Sequence, residues 1–197
     1  MVLQSILERF GELLNVRLAK AVFTTEDSIR YTFFAALLEK GGVQPEDVIL
    51  EYRHPGIAGA QIDTWIPVLG GVGVAVEFKY DRGIPSGKNA PRTQKAGKVF
   101  HDLFRLGQIA PGMRRLFVYV TGREMAAYFV NPKNGLSKFF ALANGRTLRI
   151  DREFIAGKSA TFVGSVGKIP DVEVVSLFGR SLPDDHEVRV YEIRGLN

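Results

Sequence analysis

Two carboxylates and one ammonium group, on Asp63, Glu77 and Lys79, lie within the segment Gln61 to Tyr80, which reads QIDTWIPVLGGVGVAVEFKY. Two carboxylates held close together repel each other unless a cation lies between them. Mg²⁺ commonly takes one or two carboxylates together with water and phosphate. A lysine beside such an ion could orient or deprotonate an attacking water. These residue types therefore indicate a site for cation binding and water activation, provided that the fold brings them together.

Both halves of this segment alternate apolar and polar residues, which predicts two half-buried strands around a glycine turn. Directly paired residues of antiparallel strands share a face. A turn centred on Gly70 puts both apolar sets on one face, pairing Val68 with Val72 and Ile62 with Phe78. The same centre places Asp63 opposite Glu77, with their Cβ atoms about 4.5–5.5 Å apart, and Lys79 on the same face.

This register is not forced by the sequence. A two-residue turn at Gly70-Gly71 is also a normal hairpin turn, and it would put Asp63 and Glu77 on opposite faces. A second interpretation of the residues also stays open, in which Glu77 and Lys79 form an exposed ion pair and Asp63 is simply a polar residue.

The pattern Ile62-Asp63, followed by Val76-Glu77-Phe78-Lys79 at the end of the next strand, resembles the PD-(D/E)xK nuclease superfamily. The resemblance implies an α/β protein with a restriction-endonuclease-like core of helix, three-stranded antiparallel meander, helix and strand. It implies that Asp63 and Glu77 hold Mg²⁺, with Mn²⁺ as a substitute, and that Lys79 serves the attacking water. Ile62 stands where the name of the motif has proline, which is a frequent variation. The order of predicted elements from Thr24 to Thr121 agrees with this core.

A helix is predicted from Thr25 to Lys40, with Thr24 or Thr25 as its N-cap and Gly41-Gly42 as its end. Glu26 shares a face with the apolar stripe of this helix, and two interpretations of its carboxylate remain open. It is either an acid stabilised by the helix dipole or, as the resemblance implies, an extra catalytic acid that supports the metal.

Cationic residues follow the hairpin in a polar loop and in the next helix. Basic groups beside such a hairpin suit contacts with a phosphate backbone, although an ordinary solvated loop is an equally good interpretation. The predicted nucleic-acid-binding residues are Arg82, Lys88, Arg92, Lys95 and Lys98.

The segment from Arg92 to Gln108 predicts a second amphipathic helix, and Arg114 to Thr121 predicts a buried strand. Some superfamily members place a Gln or Lys of this helix near the scissile phosphate. By that resemblance, Gln94 is a further catalytic candidate, preferred over Lys95.

The chain has 197 residues, 46% of them apolar, and a formal charge of +5, which indicates one folded domain (1–197) and permits nucleic-acid binding. The absence of cysteine excludes a disulfide scaffold, thiolate zinc sites and a cysteine nucleophile. No uninterrupted apolar stretch is long enough to span a bilayer, and the N-terminus does not read as a signal peptide. We therefore expect a cytoplasmic protein with no membrane partner.

Within this domain we expect an N-terminal helix (1–22), the nuclease-like core (24–135) and a β-rich C-terminal extension (136–197). The extension is inferred from short apolar runs separated by glycine and polar turns. These runs are 139–142, 161–163, 172–178 and 188–193.

The sequence thus predicts a Mg²⁺-dependent DNA nuclease that hydrolyses phosphodiester bonds, of the restriction, junction-resolving or repair type. The expected partner is DNA, and either a homodimer or a larger nuclease complex is left open. The alternatives are a non-catalytic nucleic-acid-binding or assembly subunit that keeps the fold, and a nuclease subunit that is inactive without its partner.

Overall fold

Seven strands form one mixed, mostly antiparallel sheet with helices on both faces, in a computed structural model that describes residues 2–82, 91–169 and 171–196. The strands are β1 (Ile49–Arg53), β2 (Gln61–Leu69), β3 (Val72–Asp81), β4 (Arg114–Thr121), β5 (Thr147–Ile150), β6 (Val172–Leu182) and β7 (His186–Gly195). Their order in the sheet is β1-β2-β3-β4-β7-β6-β5. Among the described strands, only β3 and β4 are parallel neighbours, and a parallel pair needs a crossover such as the helix between them.

Seven α-helices lie in the described ranges: α1 (Val2–Ala19), α2 (Glu26–Lys40), α3 (Arg92–Gly107), α4 (Arg123–Val130), α5 (Ser137–Phe140), α6 (Arg152–Ile155) and α7 (Ala160–Val166). Thr25 caps α2 through a reciprocal pair of hydrogen bonds with Ser28. The predicted alternation of helix, three antiparallel strands, helix and strand is therefore present from α2 to β4. None of the helices in the described ranges is long and apolar enough to cross a membrane.

Two hydrophobic clusters cover the two faces of the sheet. One contains the apolar stripes of α1 and α2, and the other contains α3 together with the helices that follow β4. Every residue of β4 from Arg115 to Thr121 is buried, as its apolar run predicted. The sheet is thus the middle layer of three.

The segment from 136 onward contributes to this same sheet. β7 pairs with β4, and β6 pairs with β7, as the two later apolar runs predicted. The runs 139–142 and 161–163 differ from the expectation, because α5 contains Phe139 and Phe140 and α7 contains the second run. Runs this short can be buried equally well by a helix or a strand.

Candidate functional site

The β2–β3 hairpin has a two-residue turn and a bulge, and the two together set its register. Gly70 and Gly71 both have positive φ, 62° and 91°, which is the conformation that such a turn needs. Leu69 therefore pairs with Val72, so the predicted pairing of Val68 with Val72 is wrong.

Nearer the site, the hairpin has the register that centres on Gly70. Thr64 pairs with Val76 and Ile66 with Val74. The shift occurs between Ile66 and Leu69, where a bulge places an extra residue on β2. The two-residue turn thus coexists with the register that points Asp63 toward Glu77.

Beyond Thr64 the two strands separate, and carboxylates take the place of a strand partner. The Phe78 amide donates to Asp63 Oδ2 at 2.7 Å, and the Tyr80 amide donates to Glu26 Oε2 at 2.8 Å. Ile62 and Phe78 lie in different hydrophobic clusters, so the prediction that they share a face is wrong. The separation of the strands is what frees this edge of β3 for the two acids.

Glu77 is buried on the side of β3 that faces α3. Arg105 of α3 brings Nη2 to 3.0 Å from Glu77 Oε1, and Nη2 also donates a hydrogen bond to the Gln61 carbonyl. Among the described residues, Glu77 Oε1 thus has an ion-pair partner in Arg105 but no hydrogen bond of regular geometry. Burial and the neighbouring Asp63 carboxylate raise the pKa of Glu77 to about 9, against the opposing effect of Arg105.

Lys79 lies two residues after Glu77 on the same face of β3. It extends toward α3, with Nζ 4.0 Å from Asp102 Oδ2. Burial by itself would lower the pKa of Lys79, but the carboxylates of Asp102 and Glu26, with Asp81 and Asp63, outweigh it and raise the pKa. Lys79 therefore carries its proton at neutral pH. Burial also raises the pKa of Glu26, and Lys79 and the Tyr80 amide oppose that rise.

Arg30 of α2 binds Asp63 on the other side. Its Nη2 lies 3.0 Å from Asp63 Oδ1, and its Nη1 lies 2.6 Å from Glu51 Oε1. Glu51 has a φ of +50° on the edge strand β1, and its carboxylate is tied to Arg30. Arg30 and Arg105 thus neutralise much of the negative charge at the site.

Three of the predicted cationic residues gather next to this cluster. Arg82, Lys95 and Lys98 line a cavity of about 350 Å³ together with Glu26 and Lys79. The Lys95 ammonium lies 4.0 Å from Asp81 Oδ1 and donates to the Arg82 carbonyl at 3.2 Å.

The remaining predicted residues are placed differently. Arg92 is exposed and lies 3.7 Å from Glu124. Gln94 lines neither of the cavities that adjoin the site, and its side chain forms no hydrogen bond to another described residue. Lys88 lies outside the described residues. The roles predicted for these three residues remain predictions.

Sequence reasoning missed Asp102 and Arg105, and it also missed Asp81, whose carboxylate accepts a hydrogen bond from the buried Tyr119 hydroxyl. A signal for the α3 residues was present. Lys95, Lys98, Asp102 and Arg105 recur at a helical spacing and form one charged stripe beside the apolar stripe of α3. The sequence alone did not indicate which strand this stripe would face.

No group of three or more His, Cys, Asp and Glu side chains in the described ranges is arranged to hold a metal ion. Asp63 and Glu77 form a pair of carboxylates rather than a complete set of ligands. Searches of protein-family models, curated proteins and solved structures find no match to this chain. Its function must therefore be argued from the site itself.

Proposed function

We propose that this protein is a metal-dependent deoxyribonuclease that hydrolyses phosphodiester bonds, with α2, β1 to β3, α3 and β4 as a restriction-endonuclease-like core. One observation carries the proposal. Asp63 and Glu77 meet where β2 and β3 separate, and Glu77 Oε1 is buried without a hydrogen-bond partner among the described residues. Lys79 lies beside them with its charge retained.

The donor set fits a hard divalent cation. A buried carboxylate with a pKa near 9 is a costly anion, and a cation next to it removes that cost. Mg²⁺ is commonly bound through one or two carboxylates, with waters and substrate phosphate completing the octahedron. Asp63 and Glu77 would hold the ion, with Mn²⁺ as its substitute. When bound, it would supply a water of lowered pKa and neutralise charge on the phosphate.

Each neighbouring side chain has a role that follows from its charge. Lys79 is protonated, so it orients the attacking water and stabilises negative charge rather than removing a proton. Glu26 is held by the Tyr80 amide and orients water on the side of α2. Arg105 is within reach of both Glu77 and the open side of the site, where it can contact a phosphate.

Arg82, Lys95 and Lys98 would bind the DNA backbone beside the cleaved bond. They line one cavity together with Lys79, and phosphate contacts of this kind position a nucleic acid without reading its sequence.

A second candidate is a non-catalytic nucleic-acid-binding subunit of the same fold. The observation that favours it is that Arg30 and Arg105 already lie 3.0 Å from Asp63 and Glu77, respectively. A site neutralised by two arginines does not require a metal ion for stability. The two candidates differ in whether the carboxylates are needed for turnover.

The substitution Asp63→Asn tests the proposal. We expect cleavage of plasmid and single-stranded DNA in Mg²⁺ to fall at least ~100-fold, because a charged oxygen ligand is lost. Affinity for DNA in Ca²⁺ should stay near the wild-type value, since the cationic side chains are unchanged. The metal-free melting temperature should fall, because asparagine has one acceptor oxygen where both Asp63 oxygens accept, from Arg30 and from the Phe78 amide.

Asp171→Asn is the matched control, since Asp171 is an exposed aspartate whose carboxylate pairs with Arg149 on the surface. It should retain full cleavage. Wild-type protein that binds DNA but never cuts it in Mg²⁺ or Mn²⁺ would favour the non-catalytic subunit. Equal cleavage by wild type and Asp63→Asn would remove Asp63 from the catalytic machinery.

A further inference from the structure

A larger cavity of about 950 Å³ adjoins Asp63 and Arg105. Its walls come from α3, from the loop that joins β1 to β2, and from the residues after α7. The volume lies in the range of pockets that bind small organic groups. The cavity therefore extends the candidate site rather than forming a separate one.

Phe104 lines this cavity with its phenyl ring. It is half-buried and belongs to neither hydrophobic cluster of the described residues. The His101 ring is tilted against it, with centroids 6.5 Å apart, and the Lys168 ammonium lies 5.9 Å from its centroid. An aromatic ring that lines a cavity and lies outside the core can stack with a ligand through the surface that His101 and Lys168 leave uncovered.

The polar groups around Phe104 suit an uncharged ring attached to a phosphate. Gln61 and Gln108 are exposed at the cavity, and their side-chain amides form no hydrogen bond to another described residue. Lys168 forms no ion pair within the described ranges. The acids on this wall, Glu51 and Asp63, are both paired with Arg30.

The wall opposite α3 is held in place by His54. Its Nε2–H donates to the Arg105 carbonyl at 2.9 Å, and its Nδ1 accepts the Gly56 amide at 3.0 Å. The loop between β1 and β2 is thereby fixed to α3. The cavity is preformed, which lowers the ordering cost of binding.

We propose that this cavity binds an unpaired nucleobase, stacked on Phe104, while the attached phosphate lies at Asp63, Glu77 and Arg105. The inference rests on the proposed nuclease function and names the substrate class. A base inside a duplex is stacked on both faces and cannot enter. The substrate is therefore a nucleic acid that is single-stranded at the cleaved bond, and Gln61 and Gln108 offer amides to the edge of the unpaired base.

Phe104→Leu tests this inference, because it keeps apolar volume and removes the π-face. Affinities are measured in Ca²⁺ for a single-stranded oligonucleotide and for the same sequence as a blunt duplex. Wild type should bind the single strand more tightly. Phe104→Leu should weaken single-strand binding about tenfold, as the loss of one base–aromatic stack predicts, and leave duplex binding unchanged. Phe104→Trp, which keeps an aromatic ring, should bind the single strand about as tightly as wild type does.

Tyr31→Leu is the control, since Tyr31 is an aromatic residue of α2 with 63% exposure that does not line this cavity. A 2-aminopurine base in the oligonucleotide gives a readout that does not depend on folding of a variant. Its fluorescence should be quenched by stacking on wild-type protein.

The outcomes separate the inference from the proposed function. If wild type cuts nucleic acid in an Asp63-dependent way but prefers duplex, or leaves 2-aminopurine unquenched, the base pocket is wrong and the nuclease stands. Unchanged single-strand affinity in Phe104→Leu has the same meaning. If wild type neither binds nor cuts any nucleic acid, both the base pocket and the proposed nuclease function are wrong.

Discussion

Arg30 and Arg105 are the residues that make a pair of buried carboxylates compatible with a stable fold. Each lies 3.0 Å from one of the two acids. Removing one partner of a buried charge pair is costly, because the other is left unpaired. A divalent ion and these arginines therefore compete for the same negative charge.

Replacing Arg105 by alanine should expose this competition. The metal-free protein should lose about 2 kcal/mol of unfolding free energy, since Glu77 and Asp102 lose a nearby guanidinium charge and the Gln61 carbonyl loses a charged donor. Added Mn²⁺ should raise the melting temperature more in Arg105→Ala than in wild type. Thermal melts with and without Mn²⁺ measure both effects.

The control for that experiment is Arg149→Ala, because Arg149 is 60% exposed and pairs with two acids on the surface. Exposed pairs of this kind contribute about 1 kcal/mol or less, and the Mn²⁺ shift should not change. A smaller Mn²⁺ shift in Arg105→Ala than in wild type would contradict the competition.

His54 should make stability depend on pH. Burial lowers the pKa of His54 below its usual 6.5, and the charge of Arg105 acts in the same direction, against the opposing effect of the hydrogen bond to the Arg105 carbonyl. As the pH falls, the unfolded chain therefore binds this proton at a higher pH than the folded protein does. The free energy of unfolding has its full value above pH 6.5 and decreases as the pH drops toward the folded-state pKa. Urea unfolding of wild type between pH 7.5 and 5 should show this loss.

The variant His54→Asn keeps an acceptor for the Gly56 amide and has no group that titrates in this window. It should cost about 1 kcal/mol at pH 7.5, because the hydrogen bond to the Arg105 carbonyl is lost. Its stability should decline less steeply toward pH 5. An identical pH dependence in both proteins would mean that another group is responsible.

Among the elements, the β2–β3 hairpin decides whether the two acids meet. Its bulge lets a two-residue turn coexist with the register in which Thr64 pairs with Val76. Gly73 lies on β3 opposite the bulge, and a Cβ there would be 2.9 Å from Trp65 Cη2. Trp65 is the only tryptophan in the sequence and stacks on Tyr52 with ring centroids 5.4 Å apart, so its fluorescence reports on this hairpin.

Gly73→Ala should destabilise the protein by about 1–2 kcal/mol, because the indole must move to make room. The emission of Trp65 should shift in the folded state, and urea unfolding gives the stability change. Gly164→Ala in α7 is the control and should raise the free energy of unfolding. A Cβ there meets nothing within 4 Å, and alanine stabilises a helix by about 0.5–1 kcal/mol relative to glycine. A neutral Gly73→Ala with unshifted emission would contradict the described packing of Trp65.

For the molecule as a whole, β4 connects the two halves of the chain. It pairs with β3 on one side and with β7 on the other. Both hydrophobic clusters contain residues from before and after position 136. The C-terminal segment is therefore part of the same cooperative unit as the candidate site.

We expect a single unfolding transition in which Trp65 emission and far-UV circular dichroism coincide. A fragment of residues 1–135 should remain unfolded, because the edge of β4 and the parts of both clusters that pack on the C-terminal segment would be exposed to water. Two separated transitions, or a cooperatively folded fragment, would show instead that the C-terminal segment is a separate unit.

Local pattern was sufficient to predict the helices α2 and α3, the strands β2 to β4 and a threonine N-cap of α2 at Thr24 or Thr25. Each of these depends on residues that are neighbours in the sequence. Alternation along β2 and β3 left two registers open, and the one centred on Gly70 is present near the site, where Thr64 pairs with Val76. What local pattern missed was the bulge that reconciles this register with the two-residue turn.

Tertiary structure alone decided which partners the acids have. Arg105 reaches Glu77 because α3 packs across β3, and Arg30 reaches Asp63 because α2 packs on the other face, so the contacts join residues about 30 positions apart in the chain. Tertiary packing likewise decided that the runs 139–142 and 161–163 contribute to helices rather than to strands. The hydrophobic period of the sequence indicates which side of a helix or strand is apolar. Only tertiary packing determines which charged side chains of different elements come into contact.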